Sequence, residues 1–234
     1  MEIDFTPFFK RYEALVAKAD KAFAHVKGQY PEEVKCTPGC ADCCYALFDL
    51  TLIEALYINY HFKEQYKGAK REALLEKANA ADRKIHKIKK EAFRATQEGK
   101  DEEKVLEDVA QERIRCPLLN DEDRCDLYAY RPIACRVYGI PLAIGGKGHT
   151  CGRSGFVQGK NYPTFNMDVV HEQLMALSAE FVQAIQSRHV KMADVLVPLS
   201  LALLTDYDEA YLGINDPSSE EKGAAEGGKD DDGS

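Results

Sequence analysis

Four of the chain's cysteines lie within nine residues, as Cys36-x3-Cys40-x2-Cys43-Cys44, and this crowding constrains the fold more than any other feature. A cysteine used as core filler is usually solitary, whereas thiolates two and three residues apart can converge on one centre. Four more follow, as Cys116-x8-Cys125-x9-Cys135-x15-Cys151, and the segments before Cys36 and after Cys151 contain none. The adjacent pair Cys43-Cys44 adds a condition of its own. Neighbouring side chains diverge, so one of the two serves the main centre while the other faces a second site or stays a free thiol.

Eight cysteines mean different chemistry in different compartments. The N-terminus, MEIDFTPFFKRYEAL, carries early acids and no long apolar run, so it does not read as a signal peptide. No stretch approaches the roughly 20 apolar residues of a membrane span. The expected location is cytoplasmic, where thiols stay reduced and clustered cysteines read as metal ligands or redox groups rather than disulfides. The formal net charge is −8, of which the seven acids and two lysines of residues 216–234 supply −5 and the rest of the chain −3. Clustered excess Lys and Arg, the footprint of a nucleic-acid binder, is missing. The Gly- and acid-rich stretch 216–234 is expected to be a disordered tail. Residues 1–215, in a chain that is 45% hydrophobic, suffice for a single domain that does not need a metal to fold at all.

Hydrophobic periodicity makes that domain mainly α. A first helix is predicted with Thr6 as cap and Pro7 in its first turn, carrying Phe5, Phe8, Tyr12, Leu15, Ala19, Phe23 and Val26 and ending at Gly28. Thr51 and Glu54 form a capping box for a second helix. A third spans 69–97 with Leu74, Ala78, Ala81, Ile85, Ile88 and Ala92 on one face, as an arm of a helical hairpin, and a shorter one follows near 102–113. Val170, Leu174, Leu177, Phe181 and Ile185 mark another helix over 167–188. The apolar segment 194–214 is expected to be a helix broken at Pro198, followed by a capped turn beginning at Thr205. Residues 116–151 read differently, as an irregular cysteine-rich region with a small β-ribbon in which 136–144 returns across Gly145-Gly146-Lys147-Gly148.

Zinc favours paired Cys-x2-Cys knuckles, and here Cys40-x2-Cys43 has no downstream counterpart. Iron–sulfur clusters accept ligands from irregular loops, so the spacing points to a cluster, with zinc as the alternative. Cys36-x3-Cys40-x2-Cys43 is also the spacing of radical S-adenosylmethionine enzymes. Those set an aromatic residue before the last cysteine, where this chain has Asp42, and place the motif after a strand rather than a helix.

The run CTPGCADCC, with Cys116-Pro117-Leu118-Leu119, Cys125-x-Leu127-Tyr128, Arg131-Pro132-x2-Cys135-Arg136 and Tyr138, resembles the YkgJ-type cysteine-cluster family, described as zinc- or iron-chelating, with related modules in flagellin lysine N-methylases. The resemblance covers about 36–151 and implies a metal centre, read here as a 4Fe–4S cluster, without fixing a substrate. The candidate ligands are Cys36, Cys40, Cys43, Cys44, Cys116, Cys125, Cys135 and Cys151. Cys36, Cys40 and one of Cys43 or Cys44 are expected to meet at least one downstream cysteine. Arg131 and Arg136 flank Cys135 and are candidates to offset an anionic cluster and donate to its sulfurs; alternatively Arg131 pairs with Asp126 to organise the turn. The function read from this is redox, electron transfer or metal handling with a protein redox or substrate partner. The rivals are a structural-zinc adaptor and a cluster-dependent modifying enzyme.

Overall fold

A computed structural model describes residues 3–214. The first helix, α1, spans Thr6–Gln29 and buries Phe9, Tyr12, Ala19 and Val26 along one stripe. Thr6 is its first residue rather than its cap, and the Asp4 carboxylate accepts from the Thr6 N–H at 2.9 Å. Gly28 falls inside the last turn, and the chain leaves the helix at Tyr30, just before Pro31. Helix α2, Leu52–Gln65, starts at the Thr51/Glu54 capping box, as its sequence predicts. Every residue from Leu52 to Asn59 is buried, so α2 is surrounded by protein rather than amphipathic.

Helix α3, Gly68–Gln97, buries Leu74, Ala78, Ala81 and Ile85. Against it lies α4, Glu102–Gln111, whose Asp101 side chain accepts from the Lys104 N–H. Helix α5 is a single turn and a half, Ile133–Val137, and holds Cys135. Helix α6 spans Met167–Ala184 and α7 Leu199–Leu204. Helices α1, α2, α5 and α6 enclose one apolar core, with Tyr12, Ile53, Ile133 and Phe181 fully buried. Helices α2, α3 and α7 enclose a second, around Ile58, Phe62 and Leu203. The common wall is α2. No described helix is long and apolar enough to cross a membrane.

Five short strands complete the described residues. Strand β1, Asp49–Leu50, and β5, Val197–Pro198, pair antiparallel, while β2, Leu142–Ile144, pairs antiparallel with β3, Lys147–His149, and parallel with β4, Phe165–Asn166. The β2–β3 ribbon turns at Gly145 and Gly146, with φ of 58° and 72°, the left-handed pair that a two-residue hairpin requires. The ribbon is shorter than its sequence suggests, because Arg136 and Val137 belong to α5. Pro198 does not break a helix; it stands at the cap of α7, where a missing N–H costs nothing. Before it, residues 190–194 form a short 3-10 turn. The turn after Thr205 is capped by Asp208, which accepts from the Tyr211 N–H at 2.7 Å. The predicted tail, 216–234, lies outside the described residues.

Candidate metal centre

Local turns aim the cysteines. Thr37-Pro38-Gly39-Cys40 is a β-turn closed by the Cys40 N–H to the Thr37 carbonyl at 3.0 Å, with Gly39 at φ 86°, which suits Pro then Gly at the two central positions. It folds Cys40 back beside Cys36. A 3-10 turn, Asp42–Tyr45, presents Cys43 and Cys44, whose thiols hydrogen-bond each other. The chain returns alongside at an Ala46–Arg113 bridge, and the Cys116 N–H donates to the Cys44 carbonyl at 2.7 Å. A tight loop stapled by the Asn120 side chain then brings Cys125 opposite Leu119. Cys135 follows on α5, whose first N–H, from Ile133, donates to the buried Glu54 carboxylate at 3.3 Å. One side chain thus caps α2 and seats α5.

These loops surround a cavity of about 60 Å³. Cys43, Cys44, Cys116, Cys125 and Cys135 line it together with Arg131, and Phe48, Leu118, Leu127, Tyr130 and Leu199 form its apolar wall. All eight cysteines are free thiols. Burial pushes the Cys116 thiol up to about 12 and Cys125 to about 11, and it raises Cys135 as well; Cys43 rises through its bond to Cys44 and through burial. Cys43, Cys116 and Cys125 stand close enough to Cys135 for their charges to raise it too. Arg131 works the other way at Cys36, Cys43, Cys125 and Cys135, favouring the thiolate. A metal that displaces these protons binds with a strong pH dependence.

Cys36, Cys40 and Cys151 do not line the cavity. Cys36 is raised by burial and then by the charges of Cys40 and Cys43. Cys151 is raised by burial to about 11, with smaller contributions from Asp42 and Cys36. The Cys151 thiol donates to Asp42 at 3.4 Å and its sulfur accepts from the Arg153 N–H at 3.4 Å. Asp42 also takes Arg113 at 2.7 Å and Arg153 at 3.7 Å. This carboxylate was missed as a site residue, although its place between Cys40 and Cys43 was a signal.

The two arginines part company. Arg131 stacks its guanidinium 3.6 Å from the Tyr128 ring and donates to the Tyr128 carbonyl, facing the thiols without pairing with Asp126. Arg136, expected over the sulfurs, is turned away. It donates to the Arg131 and Ala129 carbonyls and pairs with Asp20 of α1 at 2.8 Å, a clamp between α1 and the cysteine loop. Its side chain is 9% exposed, and the carbonyls within its reach take the donors that a sulfur would have used.

A family profile described as "CxxCxxCC: putative zinc- or iron-chelating domain" matches residues 35–152, half of the chain. The chain belongs to the CxxCxxCC family. Its first interval is one residue longer than the family's name spells, and the extra residue lies in the Pro-Gly turn. No curated protein and no solved structure matches the chain. The CxxCxxCC region is a metal-binding module, for zinc or iron. Its donor set fits that chemistry, since soft thiols around an apolar, partly closed space suit either metal. Among the described residues, no three His, Cys, Asp or Glu side chains close on a single point as a finished ion site would.

Proposed function

We propose that this protein holds an iron–sulfur cluster of the 4Fe–4S kind and serves in redox, electron transfer or metal handling in the cytoplasm, working with a protein partner. The observation that carries this reading is that five thiols stand around a cavity instead of meeting at a point. A zinc ion draws four ligands to within about 2.3 Å of one atom. A cluster takes its thiolates at the edge of a larger inorganic core. The cavity's 60 Å³ is several times the roughly 10–15 Å³ that one water needs, so it has room for more than one atom.

When bound, such a cluster supplies one-electron oxidation and reduction. The chain contributes the surroundings: Arg131 offsets the negative charge of the thiolates, and the walls at Phe48, Leu118 and Leu127 hold water back. Anaerobic purification followed by iron, acid-labile sulfide and zinc analysis tests the reading. The expected protein is brown, absorbs near about 400 nm and contains iron and sulfide in equal amounts. A colourless protein that holds zinc after anaerobic preparation overturns it.

A further inference from the structure

A second recess backs onto the thiol cavity. Tyr130, in the cavity wall, stacks on His61 of α2 with ring centres 3.7 Å apart. His61 in turn lines an open groove of about 540 Å³ between the start of α1 and the end of α2. We infer that this groove binds a small organic cation bearing a methylated, quaternary ammonium group. The rings of Phe9, Tyr60 and His61 surround the group and the Glu13 carboxylate supplies the opposite charge.

Two helical faces build the groove. Phe5, Phe9 and Glu13 recur every four residues and so share one side of α1 and its approach. Tyr60 and His61 come from α2. Phe9 meets Tyr60 at 65° with ring centres 5.5 Å apart, and Tyr60 meets His61 at 88° and 5.2 Å. Walls set steeply to one another can put several ring faces around one group. Such cages recognise quaternary ammonium, which has no N–H to donate and is attracted by the negative face of a ring. Tyr60 is 45% exposed, a large ring left open to the groove and solvent. The other two walls are held from behind, Phe9 by Tyr57 at 5.1 Å and His61 by the Tyr130 stack. Walls fixed in this way need little ordering when a ligand arrives.

The charge has the right sign. Asp4, Lys10 and Glu13 are the ionised lining residues, two acids and one base, which leaves one negative charge. The Lys10 charge acts on Asp4, whose carboxylate also accepts from the Thr6 N–H. Glu13 is steadied by the Tyr57 hydroxyl, which donates to one of its oxygens at 3.1 Å. Burial holds the His61 imidazole below its ordinary pKa, against the pull of Glu13 and Glu64, so at neutral pH this wall is an uncharged ring. The groove's volume falls within the roughly 300–1,000 Å³ of small-molecule sites.

The test is calorimetric titration of the full-length protein with choline and with its uncharged carbon isostere, in which a tert-butyl group replaces the trimethylammonium. Choline should bind saturably, and the isostere at least about 5-fold more weakly. Tyr60→Ala and Glu13→Gln should each weaken choline binding by about 5-fold, whereas Tyr60→Phe should keep it, because the ring face and not the hydroxyl makes the contact. No saturable choline binding, equal binding of the isostere, or full binding by Tyr60→Ala overturns the inference. Far-UV circular dichroism checks each variant. Should Tyr60→Ala lose helix, Glu13→Gln on the exposed side of α1 reads the site in its place, and unchanged choline binding there overturns the inference equally. Choline titration and metal analysis are separate measurements, so failure here and failure of the cluster reading are distinguishable.

Discussion

Arg131 and Arg136 are five residues apart and carry the same charge, yet they have different jobs. Arg131 is held flat on Tyr128 with its charge toward four thiols, so its loss removes a cation from the metal surroundings. Arg131→Ala should lower metal retention against a chelator by about 10–100-fold while leaving helicity unchanged. Arg136→Ala should do the reverse, costing about 2–3 kcal/mol of stability through lost bonds to a charged group, with metal loss only as the fold loosens. Urea titrations and metal occupancy after dialysis, measured on both variants, separate the two. Glu54 is a third kind of residue, a carboxyl whose pKa is raised by burial despite its bonds from Thr51 and Ile133. Folding therefore holds its proton more tightly than the unfolded chain does. Its contribution to stability is full below the ordinary glutamate value and declines as pH rises through the raised folded value. Melting temperatures of wild type and Glu54→Gln across that range should diverge, with wild type losing ground as pH increases; parallel curves would show that Glu54 is not the titrating group.

The β2–β3 ribbon shows how short elements depend on distant support. Three-residue strands are too short to be stable alone, and the Gly145 and Gly146 N–H groups donate to the Asp168 carboxylate in the first turn of α6, at 2.9 and 3.4 Å. Asp168→Ala should release the ribbon, so hydrogen exchange at these two amides should accelerate at least about 10-fold with little change elsewhere, as for losing about 1–2 kcal/mol of local protection. The sequence legibility of each element follows the range of its contacts. The α2 capping box is a local device, readable from four residues, and it forms as read. Helix α5 is not readable that way: five residues have no period, and its first N–H is met by a glutamate 79 positions earlier. Pro198 misled for a related reason, since a proline between apolar runs reads alike as a helix break and as the start of α7; pairing with Asp49 decides which. Within the site, the cysteines announced themselves by spacing. Their grouping around the cavity depends on side-chain direction, to which spacing is blind.

Taken whole, the molecule does not respect the limits of its family region. Residues 35–152 carry all eight thiols, but α1, α6 and α7 lie outside that range and build much of both cores around α2. The cavity itself is incomplete without the start of α7, because Pro198, Leu199 and Ser200 form part of its wall. That wall has a consequence in time. A chain is made from its N-terminus at about 5–20 residues per second, so the wall follows Cys151 by about fifty residues and several seconds. During that interval every thiol has been synthesised and none is yet covered from that side, which leaves a natural interval for loading and an equal one for oxidative damage. In metal-free form, a chain stopped at residue 190 should therefore react with iodoacetamide at Cys116 and Cys125 much faster than the full chain does. Equal rates would mean that the late-arriving wall gives the thiols no shelter.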